Sequence, residues 1–574
     1  MKKLSLFLAM ILTGAFAFAQ VIFQVQSPAP LMANYALTWA DPGGNDWATP
    51  DLNNPANAVT STLQFVDAPG GDTIACAPPL ATNLTGNIAV LYRASCEFGA
   101  KALAAQNAGA IAVIIINNIA GPPVEMGGGA SGLSVTIPVI MISDVDGALL
   151  RNDIIAGNVT GFIGSKVGLF ADDLGSTKAD VLMARRFSNL LPLAQNATEF
   201  NVATGAWVRN YGNQTQNSAE LKVEISLGGV PLFADSAAIN GLAPNDSIYV
   251  SLATFSQAVY TAGYYTMTYT ISTANPDGDP NDNVVSTDFM LDNAIYSYGR
   301  RDENDGELLS PAGYRPGTFT TGYENCIAFS DPNASRLQTN GMTFSVTAST
   351  GDDISNEFVE TVAYEWNDVF TDVNDPNFGF ANLVEIDNVF HVFQSNNEQD
   401  SNIYIPFNSP ITLVDNQRYL FCFRTQSTVL YLGFDNQLDY TTTQNTYLQP
   451  SIPLFVDGSN AYLNGFGLEN VPAISATFAP AGTVGVDEVG NNSEVTPYPN
   501  PANNVINIPV DKFTGLAQVD IYDIAGKLVA TENVNLSSTN VISVDVANIE
   551  NGTYIFKMTF ADDSSKAFNV LISR

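Results

Sequence analysis

A single histidine, His391, stands among 57 Asp+Glu, 22 Lys+Arg and four Cys in 574 residues. One imidazole narrows the available chemistry sharply. A zinc peptidase built on two or three His ligands cannot be assembled, and a Ser-His-Asp triad would have to take its base from His391. The surrounding Asn388-Val389-Phe390-His391-Val392-Phe393 alternates like a half-buried strand, so a satisfied strand residue is the expected role. No Gly-x-Ser-x-Gly elbow follows it, and no Cys/His pairing is suggested by spacing. The carboxylates offer a second chemistry. Asp277, Asp279 and Asp282 in the loop Asp277-Gly278-Asp279-Pro280-Asn281-Asp282 are hard oxygen ligands at close spacing, suited to Ca²⁺. The loop lacks the twelve-residue pattern with its closing Glu, so a metal-free polar turn competes with the Ca²⁺ site. Asp302-Glu303-Asn304-Asp305-Gly306-Glu307 is read as a solvated turn. Carboxylate pairs for a glycoside hydrolase occur throughout this region, but abundance selects no pair.

The elements that must carry these groups begin with an address. Met1-Lys2-Lys3 is basic, Leu4 to Phe18 is mostly apolar, and Ala17-Phe18-Ala19 supplies a cleavage signal between Ala19 and Gln20. Residues 1–19 are therefore expected to be a removed signal peptide. No later stretch is long and apolar enough for a spanning helix. In an oxidising compartment Cys76 and Cys96, 20 residues apart, are the candidate disulfide, whereas for Cys326 and Cys422 a bond and a buried thiol are equally open. The length calls for several domains, and the formal charge of −35 makes nucleic acid a poor partner. The charge is concentrated: residues 169–490 hold 38 acidic side chains against 11 basic ones. Solvation of an exported surface explains that excess more simply than cation binding.

Residues 20–168 read as α/β. The strand Ile88-Ala89-Val90-Leu91-Tyr92 precedes a helix over residues 97–108, stopped by Gly109, and then the apolar strand Ile111 to Ile116. Strand, helix, strand at this spacing gives a parallel pair with a right-handed crossover. A further strand, Ile137 to Ile142, runs into a helix capped by Ser143. Gly86 to Arg93, Cys96-Glu97-Phe98, Lys101, Ala108-Gly109-Ala110, Ile115-Ile116-Asn117-Asn118, Ile137-Pro138-Val139 and Gly147 together resemble the protease-associated (PA) domain, with a core over about 24–165. Ala94 departs from the family, which usually carries Gly after the Arg, so a less tight turn is expected there. The resemblance implies a non-catalytic module that contacts peptides or partner proteins, here without an attached peptidase.

The middle is expected to be β-rich. Leu221-Lys222-Val223-Glu224-Ile225-Ser226 alternates with period two. With the strand Gly263 to Ile271 and the strand Val284 to Leu291, residues 179–292 resemble the immunoglobulin-like sandwiches of bacterial surface proteins. Residues 293–478, strands with Gly, Asn and Asp at their turns and almost no helical period, fit a jelly-roll-like sandwich. After a linker at 479–494, Tyr498-Pro499-Asn500-Pro501, Ile521-Tyr522-Asp523, Gly526-Lys527, Gly552-Thr553-Tyr554 and a last strand holding Lys566 follow in order. This set, over 495–574, resembles the C-terminal sorting domain of type IX secretion substrates. The resemblance implies a small β-sandwich, export by type IX machinery from a Gram-negative cell, and release or attachment at the outer surface. Asp72-Thr73-Ile74, Asp235-Ser236-Ala237 and Asp246-Ser247-Ile248 look like O-glycosylation sites of such bacteria.

The fold class expected is thus multidomain and mainly β, with one α/β PA domain. The function expected is non-catalytic binding of a protein or peptide through that domain. A glycan-binding adhesin using residues 293–478 comes second, and a carboxylate-based glycoside hydrolase third.

Overall fold

The computed structural model describes residues 21–482 and 497–574, apart from 45, 68–72, 350, 450–451, 459, 511–515, 524–526, 537–540 and 561–564. The signal peptide with Ala19 and Gln20, most of the expected linker and the turn at 524–526 lie outside the described residues. Two compact units divide at residue 483.

The first unit opens with an eight-stranded sheet. Its centre is parallel: Val59–Phe65, Ile88–Tyr92, Ala112–Ile116 and Val139–Ile142 lie side by side. Helix α1 (Phe98–Asn107) crosses between the second and third of these strands, and α2 (Asp144–Ile155) follows the fourth. Every residue of Ala112–Ile116 is buried, as a strand covered on both faces requires. Ser143 caps α2, its Oγ accepting the Asp146 N–H at 3.0 Å. Gly147 lets that helix touch the sheet, because a Cβ there would sit 2.2 Å from Ile116 Cγ2. Cys76 and Cys96 are bonded to each other. The turn before the second cysteine is tight despite its side chains: Ala94 has φ 145° and Ser95 φ 64°, a backbone region that favours glycine.

The middle differs from the expected pair of separate sandwiches. A twelve-stranded sheet starts at Val230–Ile239 and runs through Ala219–Leu227, Gly263–Thr273 and Val284–Asp292 into the strands after residue 293. The joint is Ser188–Leu190. It pairs in parallel with Val284–Asp292 and, through Ser188, antiparallel with Ile295–Ser297, which in turn pairs with Ile474–Pro480. An exposed sheet edge leaves unpaired N–H and C=O groups, and this insertion satisfies them. One apolar core spans both regions, from Val208 and Phe289 to Phe344 and Phe478. A three-stranded sheet (Leu174–Gly175, Val202–Asn210, Ser247–Phe255) and a six-stranded one (Leu383–Val392, Phe358–Trp366, Arg418–Thr425, Tyr323–Phe329, Leu454–Val456, Asn460–Tyr462) complete the layers. Cys326 and Cys422 face each other on adjacent antiparallel strands and are bonded. A short helix, α3 (Thr441–Tyr447), was not legible in the sequence because Thr is a poor helix former. Tertiary bonds hold it: Thr442 Oγ1 donates to the Ala179 carbonyl at 2.6 Å, and Thr443 Oγ1 accepts the Met183 N–H at 2.9 Å.

The acidic loop closes on an internal cation. Lys166 Nζ lies 2.9 Å from Asp173 Oδ1, 3.1 Å from Asp279 Oδ2 and 2.7 Å from Asp282 Oδ2, and all four side chains are buried. The ammonium also sits 4.4 Å from the Tyr211 ring centroid. Asn34 Nδ2 donates to Asp279 Oδ1 at 2.7 Å, while Asp277 accepts the Leu174 and Asp279 N–H groups at 2.9 Å each. Asp277, Asp279 and Asp282 therefore do not form an open Ca²⁺ cage: Asp279 and Asp282, with Asp173, enclose the lysine's charge, and Asp277 is spent on backbone N–H groups. Gly175 makes room for the cluster, since a Cβ there would come within 2.0 Å of Asp282 Oδ2. Three carboxylates around one ammonium leave negative charge in a dry site. Burial, countered in part by Lys166, pushes the carboxyls of Asp173 and Asp282 up to about 7.

The second unit is a small β-sandwich with its own core, including Ile508, Val519, Phe556 and Val570. Val505–Pro509 pairs with Val541–Asp545, and four strands, Leu528–Asn535, Leu516–Asp523, Gly552–Phe560 and Ser565–Ile572, form the other sheet. Asn500 fastens the start of the unit to its last strand: Oδ1 accepts the Leu571 N–H at 2.8 Å and Nδ2 donates to the Asn569 carbonyl at 3.0 Å.

Replacing Ala94 with Gly relieves the positive φ and is expected to stabilise the first unit by about 1 kcal/mol, read as a higher denaturant midpoint. Lys166→Met leaves three buried carboxylates without a counter-charge and is expected to cost about 3–5 kcal/mol in the same measurement. Because Asp173 and Asp282 hold their protons more tightly folded than unfolded, their contribution is fully present below the ordinary aspartate range. It is lost as pH rises through about 7. Thermal melts should therefore show this contribution falling between about pH 4 and pH 8, with a shallower fall in Asp282→Asn.

Candidate functional site

The residues expected to carry chemistry are placed apart from one another. His391 lies on Leu383–Val392, at the edge of the six-stranded sheet. Its Nε2 is 2.9 Å from Glu398 Oε2, and its ring meets Phe393 edge-on at 5.0 Å. Glu398 also accepts the Gln394 and Ser395 N–H groups, which makes it part of a turn. Among the described residues no hydroxyl or thiol bonds to His391. Glu324, Cys326 and Cys422 bring three ligand-type atoms together, but the two sulfurs are bonded to each other and offer no thiolate. Asp277, Asp279 and Asp282 are committed to Lys166 and its surroundings as described.

One row of carboxylates is set up by strand register. Glu324 lies opposite Arg424, and Arg424 lies opposite Glu360 on the next strand. Arg424 pairs with Glu360 and, at 3.2 Å, with Glu385. Tyr364 donates to Glu324 Oε2 at 3.3 Å. Burial, countered in part by Arg424, pushes the Glu324 carboxyl up to about 7. A carboxyl whose proton affinity is raised by burial, beside arginine-held carboxylates, is an arrangement that acid–base chemistry could use.

The N-terminal region presents a surface. Helix α2 buries Gly147, Leu150 and Ile154 against the sheet. Its outward positions are nevertheless apolar: Val145 is 70% and Leu149 56% exposed. Gly121 N–H donates to Asp144 Oδ1 at 3.0 Å, which brings the loop carrying Ile119, itself 57% exposed, to the same end of the helix. Period-3.6 analysis of α2 could have found Val145 and Leu149, since they fall four residues apart and off the buried stripe. The loop beyond is fixed on both sides, Asp46 Oδ2 accepting the Gly128 N–H at 2.6 Å and Glu97 Oε2 the Ala130 N–H at 3.0 Å. Lys101 is wholly buried and donates to the Ile74 carbonyl at 2.5 Å beside the Cys76 sulfur.

Sequence reasoning missed a cavity elsewhere that gathers Arg185, Arg186 and Arg418. The available signal was the Arg185-Arg186 pair in a stretch so poor in cations.

Comparison with known proteins bears on two parts of the chain. Residues 52–150 match the PA domain, and residues 496–572 match the secretion system C-terminal sorting domain. A probable leucine aminopeptidase 2 of Aspergillus fumigatus is 40% identical over 79 residues, 14% of this chain and 16% of that protein. The chain thus spans less than a fifth of that relative's length. Among solved structures, an aminopeptidase from Aneurinibacillus is similar over 26% of this chain and 30% of its own, at 20% identity and a TM-score of 0.20. A CARDB domain from Pyrococcus furiosus is similar over 21% of this chain and 94% of its own, at 15% identity and a TM-score of 0.16. The chain carries a PA domain near its start and a type IX C-terminal sorting domain at its end, which makes it a secreted or cell-surface protein handled by the type IX secretion machinery.

Proposed function

We propose that this protein is a non-catalytic binding protein of a Gram-negative cell's outer surface or surroundings, engaging a protein or peptide partner through its PA domain. The observation that carries the reading is the apolar end of α2. Val145 and Leu149, with Ile119 beside them, leave exposed the kind of surface that a soluble domain covers with a partner. The absence of catalysis is supported by His391, whose ring is taken up by Glu398 and Phe393.

Two measurements test it. Because both side chains point to solvent, Val145→Asp with Leu149→Asp should change stability by only about 0.5 kcal/mol per site. The same pair should abolish cross-linking of the full chain to its partner in culture supernatant, read by mass spectrometry. Cross-links unchanged by the pair would overturn the PA assignment. Incubation with aminoacyl and peptide anilides and with mixed polysaccharides should give no turnover. Turnover that disappears in Glu324→Gln would instead establish a hydrolase at the Glu324, Glu360 and Arg424 row.

A further inference from the structure

A cavity of about 410 Å³ opens where three strands of the six-stranded sheet end, at Phe329, Trp366 and Arg418, against helix α3. That volume lies within the range of small-molecule sites. Its distinguishing feature is charge. Of the 11 cations between residues 169 and 490, Arg209, Lys222, Arg300, Arg301, Arg336 and Arg424 each hold a carboxylate. Of the other five, Lys178 and Arg315 donate to the Gln437 and Thr428 carbonyls elsewhere, while Arg185, Arg186 and Arg418, likewise ion-paired to none among the described residues, all line this one cavity.

Each is positioned by neutral groups. Arg418 donates to the carbonyls of Asp368 at 3.3 Å and Phe370 at 2.7 Å, with its guanidinium 3.9 Å from the Phe370 ring centroid. The Arg185 guanidinium lies 4.0 Å from the centroid of Tyr447 on α3, and Arg185 is exposed at the rim. Arg186 sits 5.3 Å from the Tyr296 centroid, and its Nε is buried with no acceptor. Asp331, between the lining residues Ser330 and Pro332, acts on Arg186 only through space. Carbonyls and rings orient guanidinium groups without cancelling their charge, so the cavity keeps a positive lining. In a chain of net charge −35, where carboxylates are plentiful, none among the described residues is ion-paired to them. A bound anion would offset the cost of Arg186's burial.

We propose that this cavity binds an acidic sugar of one or two rings, of the uronate type. A planar carboxylate matches the guanidinium fork. Half-buried Tyr447 provides aromatic wall for a pyranose ring, over a floor that includes the buried Trp366 and Tyr440. Asn416, Gln444, Gln449 and Thr371 provide hydrogen-bonding groups for ring hydroxyls. The three cations disfavour a ligand carrying an ammonium, and neutral sugars leave the cations uncompensated. This site is separate from the PA surface and stands or falls without it.

Calorimetry on the full chain tests the assignment with digalacturonate, galacturonate, galactose, sodium sulfate and an N-acetylated dipeptide with a free carboxylate. Digalacturonate should bind with a Kd of about 1 mM or tighter and weaken as salt is raised. Galactose should bind at least about tenfold more weakly, and Arg185→Gln and Arg418→Gln should each cost about tenfold or more, as expected for a charge-assisted hydrogen bond. Arg185 lies at the rim, so its variant should melt like the parent and keeps the test valid if Arg418→Gln fails to fold. Val145→Asp with Leu149→Asp should leave the affinity unchanged. The proposal is overturned if galactose binds as well as the acid, if Arg185→Gln has no effect, or if digalacturonate does not bind. Tighter binding of sulfate or of the dipeptide would overturn the sugar assignment in favour of a bare anion or a peptide terminus.

Discussion

The structure of the first unit hangs on one buried ammonium. Lys166 leaves the last strand of the N-terminal sheet and enters a pocket formed by Asp173, Asp279 and Asp282, with Tyr211 over it and Asn34 reaching in from the sheet itself. Charges in so dry a place tolerate little displacement, because separating any partner leaves an uncompensated ion behind. The cluster thereby fixes where the chain leaves the α/β region, where Leu174–Gly175 begins and where the loop before Val284–Asp292 is held. Asp277 contributes through backbone donors alone, which lock the loop's shape rather than its charge. An acidic loop that looks like a cation site is one, but the cation is covalently part of the chain.

From that anchor the sheet propagates. Ser188–Leu190 joins the strands on either side of residue 292, so the two sandwich regions share a sheet and a core. Such sharing makes their relative placement a matter of backbone hydrogen bonds and aromatic packing, such as Tyr296 against Phe329 and Phe478. The Cys326–Cys422 bond ties two neighbouring strands of the facing layer, beneath the Trp366, Phe370 and Phe380 cluster. The C-terminal unit repeats the theme at small scale, with Asn500 closing its first residues onto its last strand.

Charge is distributed unevenly on every scale. The acidic excess solvates the surface, and most of the few cations are spent on structural pairs such as Arg300 with Asp435 and Arg336 with Glu199. Against that background three arginines without an ion pair around a single cavity stand out, because five of the other six arginines in this stretch hold a carboxylate. The apolar end of α2 is a second departure from the general pattern. It lies in the PA domain and presents apolar side chains with no exposed cation cluster among the described residues, so the two surfaces suit ligands of different kinds.

The sequence alone determined what local order can encode. The strand–helix–strand spacing of residues 88–116, Ser143 as a cap, and the ordered blocks that resemble the PA and sorting domains are all read within short windows, where propensity and motif act directly. Cys76 and Cys96 were also legible, being close in the chain and in one domain. Ala94 in the place of the family's Gly suggested a looser turn, but the backbone keeps its positive φ there, held by the surrounding fold. Tertiary structure decided everything that depends on residues distant in the chain. Lys166 meets Asp282 across 116 positions, Cys326 meets Cys422 across 96, and α3 forms because Ala179 and Met183 receive its threonines. Arg185, Arg186 and Arg418 become one site only when strand ends and a helix converge. A sequence window records the type of each residue but not the counter-charge folding will bring to it, and here that counter-charge separates a closed ion cluster from an open anion site.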